Sequence, residues 1–217
     1  MTKQQSNYIK IIAMLAMLID HVGVILLPQY PILRIIGRIA FPLFAYQIGV
    51  GVSHTRNVKK YFLRLFVFGA VLQVFYALIA SSIGEDPWYL DIFFTLAFGV
   101  AAIAFYDRKK YVYLGCVLTL VLIIGFVDVR LDYGLYGVLL ILGMHITREN
   151  FRNLVLFTIL LTLITCFVWQ YPMQMYAVLA LLFIAKPFSV KVNIHWSVFY
   201  LFYPLHLVAL QLISEFF

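Results

Sequence analysis

Long apolar runs alternate with short polar loops along almost the whole chain. A helix that crosses the hydrocarbon core of a bilayer needs about 20 mostly apolar residues, and runs of roughly that length recur from the first turn onward. The pattern predicts spans near residues 9–27, 32–52, 61–80, 88–106, 111–127, 132–146, 151–169, 173–186 and 196–214, of which the sixth and eighth are short. We therefore expect an all-α, polytopic transmembrane helix bundle of about nine spans, forming a single domain over residues 1–217.

The composition strengthens this assignment to the membrane class. Apolar residues make up 65% of the chain and charged residues only 12%, whereas a soluble domain carries roughly 25% charged residues and about half apolar ones. The formal net charge of +7 does not indicate a nucleic-acid partner, because the basic residues lie in short loops between apolar runs. We expect a multi-pass protein of the cell membrane that contacts membrane lipid and binds no nucleic acid.

The loops alternate in charge, which predicts the orientation. One set of loops is strongly basic and holds Lys3, Lys10, Arg56, Lys59, Lys60, Arg108, Lys109, Lys110, Arg148, Arg152, Lys186 and Lys191. The other set, with the C-terminus, holds Glu85, Asp86, Asp128, Asp132 and Glu215, and Arg130 as its basic member. Because basic loops stay in the cytoplasm, the N-terminus is expected to be cytoplasmic and the C-terminus, after nine spans, external.

Ionisable residues within the predicted spans fall at one depth. At about 1.5 Å of rise per residue, Asp20, His21 and Arg38 lie roughly 10 Å below the outer surface and His206 roughly 12 Å below it. Arg34 lies one turn above Arg38 on the same face. Gln73, Thr95 and Tyr136 fall in the same band, with Asp91 and Asp132 just above it. Such residues are costly in a membrane, so this layer is a functional hypothesis by default.

A purely structural interpretation of this layer stays open. Asp20 and Arg38 together are compatible with a buried ion pair that only sets helix register, and a lone histidine in an apolar helix is usually a core residue. Two histidines at matched depth beside a carboxylate and a guanidinium favour a reactive or ligand-binding site, since histidine exchanges protons near neutral pH. We expect no metal, because Arg34 and Arg38 would repel a cation, and no disulfide between Cys116 and Cys166.

A basic cluster precedes the third predicted span on the cytoplasmic side. It includes Arg56, Lys60 and Arg64, together with Lys59. Ordinary positive-inside anchoring accounts for Lys59 and Lys60, but Arg64 already lies within the span and is explained by snorkelling or by a phosphate contact, which the guanidinium fork suits. His54, His145 and His195 fall at span ends, where we expect interfacial positions without a role.

Five short segments, in order along nearly the whole chain, resemble the TraX family. They are residues 9–23, which include Asp20 and His21, residues 33–44, which include Arg34 and Arg38, and residues 54–65, 132–137 and 202–207. The family is named for a conjugation protein that acetylates the N-terminus of F-type pilin. It is similar to a wider class of membrane acyltransferases that includes the lysosomal heparan-glucosaminide N-acetyltransferase.

The resemblance implies an acetyl-CoA-dependent acyltransferase with a cytoplasmic donor and an acceptor on the far side of the membrane. The acceptor would be an amine- or hydroxyl-bearing group on a protein N-terminus, a glycan or a small molecule. In that reaction we expect His21, held by Asp20, to act as general base, with His206 as the competing base. Asp20 has Arg38 as its alternative partner, because adjacent helical residues point about 100° apart. Arg38 with Arg34 would stabilise developing negative charge, while Arg56, Lys60 and Arg64 would bind the CoA phosphates.

Two rival functions remain open at this point. Ionisable groups near the midplane and interrupted helices are also typical of a small-molecule transporter, although the chain has no evident inverted repeat. A non-enzymatic membrane assembly protein is the second rival.

Overall fold

The computed structural model describes residues 1–83, 88–127, 129–189, 191 and 195–216, and the side chains of residues 79–83 and 196 are left out of the description. Glu85, Asp86 and Asp128, which contribute to the predicted acidic loops, lie outside the described residues. The described part of the chain is almost entirely helical, so the prediction of an all-α fold is confirmed.

The helices follow the predicted apolar runs. They are α1 (Lys3–Ile25), α2 (Pro31–Gly37), α3 (Ala40–His54), α4 (Val58–Ile83), α5 (Ile92–Asp107), α6 (Tyr111–Ile124), α7 (Gly134–Thr147), α8 (Phe151–Val168), α9 (Ala180–Ala185) and α10 (Trp196–Ser214). A 3-10 helix over Pro172–Leu179 precedes α9, and two short strands, β1 (Tyr89–Leu90) and β2 (Arg130–Leu131), flank the α5–α6 pair.

Five helical segments in the described residues are long and apolar enough to cross a membrane. They are Lys3–Ile25, Pro31–His54, Val58–Leu78, Phe151–Val168 and Ser197–Ser214. Four further apolar segments are shorter than a typical span: Ile92–Asp107, Tyr111–Ile124, Gly134–Thr147 and Pro172–Ala185. The chain is therefore a helical membrane protein, and the number of nine spans stays a prediction.

Three predicted spans differ in detail from the observed elements. The second is not one uninterrupted helix, because α2 ends at Gly37 and α3 begins at Ala40. Pro42 explains the break, since its ring would clash with the carbonyl of Arg38 in a continuous helix. The fourth begins four residues too early, at Trp88, because β1 precedes the start of α5 at Ile92. The eighth is a 3-10 helix followed by the short α9.

The chain consists of two compact units. Unit 1 comprises Met1–Gln47 and Asn150–Phe217, and unit 2 comprises Ile48–Glu149, so the boundary falls within α3. The single domain over the whole chain stays a prediction.

In unit 1, α1 presents a regular buried face to its neighbours. Ile9, Ala13, Ala16, Asp20 and Gly23 are buried and recur at alternating intervals of four and three residues, which is one stripe of a helix. Small residues in that stripe allow close packing of membrane helices, and α2 and α10 both pack on α1. The same stripe carries the Asp20 carboxylate inward.

In unit 2, α5 packs between α4, α6 and α7. Strands β1 and β2 pair in parallel, with Tyr89 opposite Arg130 and Leu90 opposite Leu131. Gly99 permits the contact of α5 with α7, because a Cβ there would lie 2.5 Å from Cδ1 of Ile141.

Candidate active site

Two arginines hold the Asp20 carboxylate in unit 1. Nη2 of Arg38 donates to both carboxylate oxygens at 2.8 Å, and Nη1 of Arg34 donates to Oδ2 at 2.6 Å. Asp20 and Arg38 are buried, while Arg34 is partly exposed. One carboxylate against two guanidiniums leaves an excess positive charge in this cluster.

The local fold explains why both arginines reach the same carboxylate. Arg34 and Arg38 are one turn apart, so they leave the same side of the chain. Gly37 lies directly against Asp20, and a Cβ at position 37 would collide with the carboxylate. The absence of a side chain at Gly37 therefore lets α2 approach α1 closely enough for two ion pairs.

A pair of histidines lies beside this ion-pair cluster. Nδ1 of His21 is 2.7 Å from Nε2 of His206, and the two rings stack with centroids 4.9 Å apart. His206 comes from α10, which packs on α1. His206 is buried and His21 is half-buried.

The hydrogen bonds of this pair define the tautomers. Nδ1 of His206 is 2.6 Å from the carbonyl oxygen of Phe202, which only accepts, so this nitrogen carries the proton. In the neutral ring Nε2 of His206 is then an acceptor, and the proton between the rings belongs to Nδ1 of His21. Nε2 of His21 is left with its lone pair, and it has no hydrogen-bond partner among the described residues. It is the nitrogen that can take a proton from a substrate.

Aromatic rings surround the histidine pair. The Phe202 ring stacks on His206 at 4.8 Å between centroids. Tyr203 meets both imidazoles edge-on, at 6.4 Å from His21 and 6.0 Å from His206. These rings pack against the pair and restrict rotation of the imidazoles.

The structure thus brings together five of the predicted site residues: Asp20, His21, Arg34, Arg38 and His206. The sequence left His21 and Arg38 as possible partners of Asp20. In the structure Asp20 pairs with Arg38, and with Arg34 as well. The expectation that Asp20 directly holds His21 is wrong for this structure, because the carboxylate oxygens point to the guanidiniums and the inner nitrogen of His21 points to His206. The catalytic roles of the five residues stay a prediction.

The other residues predicted for the same depth belong to unit 2. There the Thr95 hydroxyl donates to the carbonyl of Asp132, and the Asp91 carboxylate caps α5 by accepting from the Phe93 amide at 2.8 Å. Tyr136 is buried on α7, and Gln73 lies on α4. A common layer with the histidine pair stays a prediction.

The predicted phosphate-binding residues occupy the start of α4. Arg56 precedes the helix in an exposed loop, and Lys60 and Arg64 are exposed on its first two turns. The Asn57 side chain caps this end by accepting from the Lys60 amide at 2.9 Å. Their side chains are accessible to a ligand, and their phosphate role stays a prediction.

Sequence reasoning missed the environment of His145. It is buried rather than interfacial, and its Nε2 lies 2.9 Å from Oδ1 of Asp107. Its Nδ1 lies 3.1 Å from Nη1 of Arg148. The spacing of three residues between His145 and Arg148 was a signal in the sequence that these two side chains could meet. No sequence signal indicated the contact with Asp107, which is 38 residues away.

Comparison with protein families gives a match over almost the whole chain. A family model described as "TraX protein" matches residues 5–214. The matched range contains the ion-pair cluster, both histidines and the basic start of α4. No solved structure matches this chain.

Three curated proteins are similar to parts of the chain. A "Probable fimbrial assembly protein FimC, serogroup H1" of Dichelobacter nodosus is 32% identical over 142 residues, 60% of this chain and 57% of that protein. An uncharacterized protein of Rickettsia prowazekii is 28% identical over 68% of this chain and 59% of its own length. "Protein TraX" of Escherichia coli is 34% identical over 100 residues, 45% of this chain and 38% of that protein. The alignments therefore span less than two thirds of each relative.

Proposed function

The chain belongs to the TraX family, and on that premise we propose that it is a membrane acetyltransferase. In the proposed reaction an acetyl group passes from acetyl-CoA on the cytoplasmic side to an amine or hydroxyl acceptor at the outer side. The protein is then a multi-pass protein of the cell membrane with nine spans and a cytoplasmic N-terminus. The kinship with the wider class that includes heparan-glucosaminide N-acetyltransferase is part of this proposal.

The histidine pair carries the proposal. His21 donates to His206, and His206 donates to the Phe202 carbonyl. The nitrogen of His21 outside these hydrogen bonds is Nε2, which keeps its lone pair. A neutral imidazole with a fixed tautomer is suited to general-base catalysis. Protonation of His21 would also strengthen its hydrogen bond to His206, because a charged donor makes a stronger bond.

The reaction follows from these groups. Nε2 of His21 removes the proton of the acceptor amine or hydroxyl as the acceptor nitrogen or oxygen attacks the thioester carbonyl. The carbonyl oxygen becomes an oxyanion, and the excess positive charge of Arg34 and Arg38 stabilises it. When the carbon–sulfur bond breaks, the CoA thiolate takes the proton from His21, which releases CoA and an acetyl amide or ester.

Asp20 has a positioning role in this scheme. Without it, Arg34 and Arg38 would repel each other and turn toward water or lipid headgroups. The Asp20 carboxylate holds both guanidiniums in place and neutralises one of their two positive charges. Arg56, Lys60 and Arg64 bind the phosphates of the donor at the cytoplasmic side, because guanidinium and ammonium groups suit phosphate oxygens.

A role in fimbrial assembly is the second candidate. It is favoured by the name of the Dichelobacter nodosus relative, and it requires no chemistry at the histidine pair. Under that alternative, the polar cluster only fixes how α1, α2 and α10 pack.

An acetyl-transfer assay distinguishes the two. The purified full chain in lipid nanodiscs is incubated with acetyl-CoA labelled in the acetyl group and with panels of peptides, amino sugars and small amines. We expect labelled product and free CoA from the wild type, and loss of both in His21→Ala. His54→Ala is the matched control, since His54 is an exposed histidine bonded to the Val50 carbonyl of its own helix. An active His21→Ala variant would remove the general base from the proposal.

A further inference from the structure

A second cluster of polar side chains lies in unit 2, at the ends of α3, α5 and α7. It consists of Ser53, Asp107, His145 and Arg148, together with the carbonyl of Gly49. Gly49 permits the contact of α3 with α7, because a Cβ there would lie 3.3 Å from Cβ of His145. The basic side of the protein is predicted here, since Arg56 and Arg108 follow these helix ends.

The cluster anchors one edge of the Arg148 guanidinium. Nη1 of Arg148 contacts Nδ1 of His145 at 3.1 Å, the Gly49 carbonyl at 3.2 Å and the Ser53 hydroxyl. Nη1 carries two hydrogens, so these acceptors fully occupy it. The bond from Arg148 requires the lone pair on Nδ1 of His145, which places the ring proton on Nε2, where it is donated to Asp107 at 2.9 Å.

The opposite edge of the same guanidinium is uncommitted. Nε and Nη2 of Arg148 have no hydrogen-bond partner among the residues that the structure describes, and the side chain is only partly buried. These two nitrogens form the fork that binds two oxygens of a phosphate or carboxylate at once. An arginine whose inner edge is already fixed loses less conformational entropy when the fork engages a ligand.

The end of α3 that Arg148 contacts leads into a loop with further cations. Ser53 lies at the end of α3, immediately before the loop that carries Arg56, and Tyr61 of α4 packs on the same end, where a Cβ at Gly51 would lie 2.9 Å from its hydroxyl. Arg148 is thereby attached to the helix end that leads into Arg56 and Lys60. A ligand with several phosphates meets more of these cations than a simple carboxylate does.

We infer that Arg148 is a phosphate-binding residue for the acyl-CoA donor, and that Asp107 and His145 are positioning residues that hold its guanidinium. This rests on the proposed function for the identity of the donor. The same fork suits the phosphate of an anionic lipid headgroup, but Arg148 is held at the helix end that leads into Arg56 and Lys60, and this order of cations fits the clustered phosphates of a nucleotide-bearing donor. Arg148 thus extends the donor site beyond Arg56, Lys60 and Arg64.

Equilibrium binding of coenzyme A to the purified full chain, in nanodiscs of zwitterionic lipid, tests the inference. Arg148→Lys keeps the charge and loses the fork, and we expect CoA to bind about tenfold more weakly, as for loss of one charge-assisted hydrogen bond. Pantetheine, which has no phosphate, should bind wild type and variant equally. Arg130→Lys is the matched control, since Arg130 is an exposed arginine of the same unit in β2.

Two variants of His145 separate positioning from folding. His145→Asn retains an acceptor where Nδ1 stood, and His145→Leu does not, so CoA affinity should fall less in the asparagine variant. Equal thermal unfolding of the variants with unequal CoA affinity supports a positioning role.

The outcomes distinguish failure of the Arg148 assignment from failure of the proposed function. If Arg148→Lys binds CoA as tightly as the wild type, the inference is overturned and the proposed function stands. If the wild type binds no CoA, both are overturned. Nanodiscs that contain phosphatidylglycerol test the lipid source. If these anionic lipids bind more weakly to Arg148→Lys while CoA affinity is unchanged, the assignment to the donor is wrong.

Discussion

His21 and His206 are joined ring to ring, with Nδ1 of one 2.7 Å from Nε2 of the other. The two residues are 185 positions apart, and they meet because α1 packs on α10. The contact makes each ring dependent on the other, since the tautomer of His206 decides which nitrogen of His21 is available to a substrate.

Replacement of His206 tests this dependence. In His206→Gln the side-chain oxygen can still accept from Nδ1 of His21, and in His206→Ala it cannot. We expect the alanine variant to lose about tenfold or more in acetyl transfer, because a hydrogen bond to a charged group contributes about 1.5–3 kcal/mol, and the glutamine variant to retain most of the activity. Steady-state rates with labelled acetyl-CoA provide the measurement. Equal losses in both variants would contradict the assigned tautomers.

Replacement of Asp20 tests the ion-pair cluster. Asp20→Asn leaves two guanidiniums without their counter-charge, and removal of one partner from a buried pair costs about 3–5 kcal/mol. We expect a marked fall in the unfolding temperature in detergent, which the double variant Asp20→Asn with Arg38→Gln partly reverses. A double-mutant cycle measures the coupling. Strictly additive effects would show that Asp20 and Arg38 do not stabilise each other.

Replacement of Gly37 by alanine tests the close approach of α2 to α1. The new Cβ of Gly37→Ala would collide with Asp20, and we expect a destabilisation of about 1–3 kcal/mol from overpacking together with loss of transfer activity. Gly115→Ala is the control, because a Cβ at position 115 meets nothing within 4 Å and alanine favours the helix. Thermal unfolding compares the two. Similar stability of both variants would refute the tight contact.

Replacement of Gly99 by alanine tests the packing of α5 on α7 in unit 2. A Cβ at position 99 would lie 2.5 Å from Cδ1 and 2.7 Å from Cγ2 of Ile141, so Gly99→Ala should lower stability by about 1–3 kcal/mol. Ile141→Ala removes both of these atoms and should restore part of the loss when the two changes are combined. The measurement is again thermal unfolding, and a double variant less stable than either single variant would argue against this contact.

The orientation is testable by cysteine labelling in intact cells. In a background with Cys116→Ala and Cys166→Ala, we expect a membrane-impermeant maleimide to label Ser214→Cys and to leave Lys109→Cys unlabelled until the membrane is permeabilised. This follows from nine spans and basic loops that remain in the cytoplasm. Labelling of both positions, or of Lys109→Cys alone, would mean a different span count or orientation.

The sequence indicated that the active-site candidates would lie near one another. Rise per residue is constant along a helix, so counting from the ends of the apolar runs set Asp20, His21, Arg38 and His206 at one level. Arg34 followed from its spacing of one turn. The break between α2 and α3 also had a signal, in Pro42, but the length of the apolar run concealed it.

The contacts within that level were not predictable. The sequence alone left Asp20 with two possible partners, and it gave no indication that His21 and His206 would share a hydrogen bond. It also assigned His145 to an interface, whereas the packing of α3 and α7 buries it. Each of these outcomes depends on how a helix is rotated about its axis.

The sequence by itself determined that this is a helical membrane protein and where its apolar segments lie, because hydrophobic length and helical rise are local properties of the chain. Only the tertiary structure decided which charged group meets which, and which imidazole nitrogen stays available. Those choices depend on the neighbours and the rotation of each helix, and both are set by side-chain packing between segments that are distant in sequence.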